Sequence, residues 1–159
     1  MNDDMKQIHY ILRHIRHVQD NCLLLGERLI DRGEFHLGRE LIANSLLHDY
    51  SKFFGQEFIA LRPDNHDKSQ LAFAVKQHNE TNYHHPERWG NISKMPDIYL
   101  AEFVCDIKAR SGEFGTSLVD WINKVATSRF GFTIDDPVHE RIMRFVNLLL
   151  DESFKPLPK

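Results

Sequence analysis

The stretch IHYILRHIRHVQDNCLLLGERL, residues 8–29, decides the fold. Its apolar positions Ile8, Ile11, Ile15, Val18, Cys22, Leu25 and Leu29 advance in alternating steps of three and four. That spacing draws one stripe down a long amphipathic helix. Working outward, Gly33 offers a stop, and a second helix through Leu37, Leu41, Ile42 and Leu46 ends close to His48-Asp49. Arg62-Pro63-Asp64-Asn65 marks a turn, after which Leu71, Ala74, Val75 and His78 predict a third helix. Asn79 to Pro96 is rich in turn formers and has no period, so it reads as a loop, long enough for a small domain to suggest a function. Helices are expected from about Asp97 to Ala109 and Thr116 to Thr127, with a last one opened by Asp135-Asp136-Pro137 and running to about Leu150. Only Gly131-Phe132-Thr133-Ile134 has strand character. The expectation is an all-α bundle of about six helices with a long functional loop, in one domain spanning 1–159.

Bulk properties narrow the functional classes. The 159 residues are 42% hydrophobic and 27% charged, enough for a core of single-domain size. A net charge of −3 argues against broad attraction to nucleic acid, which needs a surplus of Lys and Arg on some face. Cys22 and Cys105 lie in apolar helical stretches without close-spaced partners, as buried reduced thiols do. No apolar run approaches the ~20 residues that span a bilayer, and Met1-Asn2-Asp3-Asp4 lacks the order of a signal peptide. A cytoplasmic protein free of membrane is expected; an oligomer is compatible with the sequence.

Chemistry concentrates in one ordered series: His48-Asp49, then Lys52, His78, His84-His85 and Asp106. Imidazoles and carboxylates are the side chains that hold borderline metal ions. His78 continues the expected inward face of its helix. Asp106 sits between Val104-Cys105 and Ile107, where a lone buried carboxylate would cost several kcal/mol unless paired or bound to a cation. His14, three and four residues from Ile11 and Val18, lies at the edge of the long stripe; His17 is its alternative if that helix is rotated. His9, His36, His66 and His139 lack inward partners and read as surface residues. Glu57 reads equally as a group orienting a ligand and as ordinary surface.

The order histidine, His-Asp, histidine, histidine, aspartate on helices resembles the HD-domain metal-dependent phosphohydrolases. His14-Ile15-Arg16-His17-Val18 is similar to the opening histidine of that superfamily with valine four residues on. His48-Asp49-Tyr50-Ser51-Lys52 resembles a His-Asp-x-x-Lys form, and His84-His85-Pro86-Glu87-Arg88-Trp89 a His-His-Glu-Arg stretch with Pro86 inserted. A closer resemblance is to a small HD-related family with His-Asp-x-Ser-Lys, a later double histidine, and a Met-Pro-led helix bearing Cys-Asp, here Met95-Pro96 and Cys105-Asp106.

That resemblance implies two divalent transition-metal ions, Mn or Fe first, with Ni, Co or Zn as further candidates. One ion would lie on His14, His48, Asp49 and Asp106; the other would be bridged by Asp49 and completed by His78, His84 and His85. Asp49 and Lys52 would carry catalysis by a metal-activated hydroxide, with Lys52, Arg88 and Trp89 at the substrate, a small phosphorylated compound such as a nucleotide or cyclic nucleotide; Arg88 and Trp89 read equally as residues that fix the loop. Monoester and diester remain open. The same ligand order also resembles HD-type di-iron oxygenases, and a non-catalytic nucleotide-binding or protein-binding module is a third reading.

Overall fold

In a computed structural model, which describes residues 3–153, the chain is an all-helical bundle. Helix α1 (Asp3–Asp31) carries the quoted stripe, and Ile11, Val18, Cys22, Leu25 and Leu29 are buried along it. Gly33, in the left-handed region at φ 87°, turns the chain into α2 (Phe35–Ser45), which packs back on α1. The two helices approach backbone to backbone. A Cβ on Gly38 would lie 2.5 Å from the Gly26 carbonyl oxygen, and one on Gly26 would strike Ile42.

Beyond a 3-10 turn at Tyr50–Phe53 come the short α3 (Gly55–Ala60) and α4 (Lys68–Thr81). Asp67 starts α4 by accepting hydrogen bonds from the Ser69 and Gln70 amides, which satisfies donors that a helix start leaves bare. α5 (Asp97–Phe114) runs through the middle of the molecule against α1, α2 and α8 (Pro137–Leu150). The core lies between α1, α5 and α8, with Leu100, Val104, Ile142, Phe145 and Val146 filling it. Arg28, buried on α1, donates to the Leu148 and Leu149 carbonyls at 2.7 Å, supplying partners to the open end of α8. Between α5 and α8 a helical run comprises α6 (Leu118–Asp120), a π-helical stretch Trp121–Ala126 and α7 (Thr127–Phe130).

Several expectations change. The loop begins at Asn82, since α4 holds Asn79, and it contains 3-10 turns at Pro86–Trp89 and Ile92–Lys94. α5 continues past Ala109 to a left-handed stop at Gly115. No strand forms among the described residues; at 131–134 only Phe132 is buried, and Thr133 donates through its amide and hydroxyl to Asp136 ahead of Pro137. On α4 the inward face is Ala74 and His78, while Leu71, Phe73 and Val75 stand 38%, 61% and 45% exposed. Met1, Asn2 and 154–159 lie outside the described residues.

Candidate metal centre

Five segments bring the ordered series together. His14 comes from α1, His48 and Asp49 from the turn after α2, His78 from α4, His84 and His85 from the loop start, and Asp106 from α5. His14, His48, Asp49, His78, His84 and Asp106 are all buried. His14 sits squarely in the stripe at 2% exposure, whereas the His17 side chain is half exposed, so His14 is the inward histidine. His9, His36 and His66 are exposed, and His139 bonds Asn123 away from the cluster.

Asp49 is the centre of the group, and its two oxygens face different ways. Oδ2 lies 3.6 Å from both His14 Nε2 and His48 Nε2. Oδ1 lies 3.1 Å from His78 Nε2 and 3.5 Å from His84 Nε2. Asp106 Oδ1 approaches His14 Nε2 at 3.1 Å. Donor atoms close enough to share an ion occur as Asp49 with His78, His84 and His85, as His14 with His48 and Asp49, and as His48 with His84 and Asp106. Asp49 is the only non-glycine residue among the described residues with positive φ, 55°. Such a conformation costs on the order of 1–3 kcal/mol and persists where surrounding structure enforces it.

The outer nitrogens explain the orientation of the rings. His14 Nδ1 meets Glu113 at 2.8 Å, His48 Nδ1 meets Glu102 at 3.0 Å, and His78 Nδ1 meets Glu57 at 2.8 Å. Ser51 in turn donates to Glu57. A carboxylate on Nδ1 fixes that proton, so the neutral ring presents its Nε2 lone pair inward. The Nε2 atoms of His14, His48, His78, His84 and His85, with Asp49 Oδ1 and Asp106 Oδ1, are buried and have no hydrogen-bond partner. Buried polar atoms are rarely left so, and seven of them gathered on both sides of Asp49 fit bound cations.

Electrostatics separate the members. Burial opposes charge on Asp49 and Asp106, yet neighbouring histidines, His48 first for Asp49 and His14 first for Asp106, hold both carboxyls well below the usual range. For His78 burial is likewise outweighed, by the Asp49 and Glu57 carboxylates 3.1 and 2.8 Å from its two ring nitrogens, and its pKa is held up at about 9. His48 is also raised, Asp49 and Glu102 overcoming burial. Burial and a neighbouring ring push the other two down, His84 strongly and His85 to about 4.

Lys52 donates to Asp49 Oδ2 and lines a cleft of about 560 Å³ that also meets His78, His85, Asp106 and Arg110. Of the two readings open for Arg88 and Trp89, at the substrate or fixing the loop, their contacts match the second, and neither lines this cleft. Arg88 stacks over Tyr83 and donates to the Glu80 carbonyl, while Trp89 donates to the Tyr83 carbonyl within a Tyr83, Trp89 and Tyr99 ring cluster. Both side chains thereby tie the loop to itself and to the end of α4. Glu102 and Glu113 escaped the sequence reading. The signal available for them was register: Glu102, Asp106 and Glu113 fall at i, i+4 and i+11, one acidic face of α5.

Fold and site together define an all-helical protein with buried histidine and carboxylate groups able to hold metal. No described helix is long and apolar enough to cross a membrane. The chain belongs to the family described as Family of unknown function (DUF5662), whose model matches residues 3–152. No curated protein and no solved structure matches it.

Proposed function

We propose that this protein is an HD-type metal-dependent phosphohydrolase acting on a phosphate ester, with nucleotides and cyclic nucleotides as the first substrates to try. The observation that carries the reading is the division of Asp49, one oxygen toward His14 and His48 and the other toward His78 and His84. A carboxylate so placed suits a bridge between two ions. His14, His48, Asp49 and Asp106 would hold one, and Asp49, His78, His84 and His85 the other. Mn and Fe suit this mixture of imidazole and carboxylate, and Ni, Co and Zn accept the same donors.

Charge supports two ions over one. With ligand histidines neutral, Asp49, Asp106, Glu57, Glu102 and Glu113 outweigh Lys52 and Arg110 by three charges. One divalent ion leaves the site negative and repels a phosphate; two reverse its sign. Bound there, the ions supply a Lewis acid for a phosphoryl oxygen and a water acidified toward neutrality. The chain supplies the rest. Glu57, Glu102 and Glu113 hold the rings, and Lys52 places a point charge beside the bridging carboxylate, where a phosphoryl oxygen would gain from it.

Elemental analysis of the purified protein, followed by phosphomonoester and phosphodiester panels with Mn and Fe, tests the reading. Lys52→Ala is expected to keep its metal and lose on the order of 100-fold in turnover. A metal-loaded protein that cleaves no ester overturns the proposal. The apolar cleft wall favours a second reading, an HD-type di-iron oxygenase, since apolar surroundings limit side reactions with water. Tightly bound iron, a visible absorption band and oxygen-dependent turnover would establish it instead.

A further inference from the structure

The cleft beside the ligand cluster has a second wall that metal binding and hydrolysis leave unused. Phe103, Phe114, Trp121 and Phe130 all line it. Phe103 meets Trp121 with ring centres 6.1 Å apart and Phe130 edge-on at 5.9 Å, so the largely buried Phe103 backs the other two rings in one wall. Phe114, at the end of α5, is 68% exposed despite its size. Trp121 opens the π-helical stretch, a helical form found mostly as short insertions at functional sites. On the floor, Arg110 lies one helical turn beyond Asp106 and faces the same cleft. It is held by the Tyr10 hydroxyl at 2.8 Å and by Glu113 at 3.3 Å, both through one nitrogen. A guanidinium has five N–H donors, so this anchoring leaves a fork for an anion.

We propose that the cleft selects an organic phosphate bearing a flat aromatic group, with the anion held by Lys52 and Arg110 and the ring laid against Trp121 and Phe130. The anion half rests on the phosphohydrolase reading; the ring half does not. A volume of about 560 Å³ is far more than inorganic phosphate needs and falls in the range of drug-sized ligands. Aromatic rings at these separations offer faces and edges that reward another ring beyond its buried area. Nucleoside phosphates and simple aryl phosphates share that chemistry.

The test is calorimetric titration of the full chain, loaded with Mn, with phenylphosphonate and with methylphosphonate, neither of which has an ester bond to lose. Phenylphosphonate should bind about tenfold tighter or better. Trp121→Ala should bring the ratio close to one, and Arg110→Gln should weaken both ligands by a similar factor. Equal affinities in the unaltered protein, or binding of neither, overturn the inference whatever the variants do. The phosphonate analogue of adenosine monophosphate, likewise without an ester to lose, is the third ligand and distinguishes the sources: tighter binding than phenylphosphonate names a nucleoside phosphate, weaker binding an aryl phosphate. A phenyl preference with no ester hydrolysed leaves this inference standing and removes the phosphohydrolase reading. Hydrolysis without a ring preference does the reverse.

Discussion

The two sides of Asp49 are built differently. His14 and Asp106 stand on α1 and α5, whose apolar faces form the core, so their positions come with folding itself. His78, His84 and His85 stand on α4 and the loop after it, where Leu71, Phe73 and Val75 face solvent. There the holding contacts are polar: Glu57 and Asn82 on His78, Glu102 near His84, and Arg129 reaching Glu87. One half of the centre is set by burial and the other by hydrogen bonds that a metal would tighten.

That contrast can be broken most directly at the residue shared by both halves. Asp49→Ala should abolish metal retention and activity together, as read by elemental analysis and turnover; a variant retaining two ions would show that the halves bind independently. Next in size is the stability difference between the sides. Phe145→Ala, at a fully buried position, should cost about 3–5 kcal/mol, while Phe73→Ala should stay within about 0.5 kcal/mol in chemical denaturation. Equal losses would mean that α4 packs as tightly as α8.

Chelation should sharpen the comparison further. Amide exchange on α4 and 82–96 is expected to accelerate when metal is removed, with α1, α5 and α8 protected as before, because binding stabilises whatever it orders. Glu57→Gln should then weaken metal binding about 10–100-fold, and more than Glu113→Gln does, since Glu113 serves a ring already fixed by the core. The smallest effect concerns pH. His78, held up at about 9, carries a proton at neutral pH that an entering ion must displace. Metal affinity should therefore rise with pH, up to about tenfold per unit, and level off above about 9; a flat profile from 7 to 9 would place His78 outside the ligand set.

The same contrast explains what could be read in advance. α1 was legible because seven apolar residues at helical steps admit one account, and its stripe brought His14 with it. The bends at Gly33 and Asp136-Pro137 were legible from backbone chemistry. On α4 the apolar residues predicted the wrong inward face. Leu71 and Val75 suggested a stripe, but His78 is buried through carboxylates and Ala74, a kind of burial no hydrophobic period records. Glu102 and Glu113 were missed because glutamate on an amphipathic helix ordinarily marks the solvent side, and only a partner across the bundle reverses that meaning. Arg88 and Trp89 drew attention by their place after the double histidine, yet their contacts are to Tyr83 and to the Glu80 and Tyr83 carbonyls.

Gly26 and Gly38 have no side chain to ligate or to donate, yet they decide how far His48-Asp49 stands from His14. α1 and α2 touch there through backbone, and the chain leaves α2 for Asp49 only a few residues later. A methyl group at either position would wedge the helices apart and open the spacing between ligands on different helices. Tolerance to mutation is therefore uneven in a way that distance from the metal would not reveal: two of the positions least like ligands are among those least free to vary.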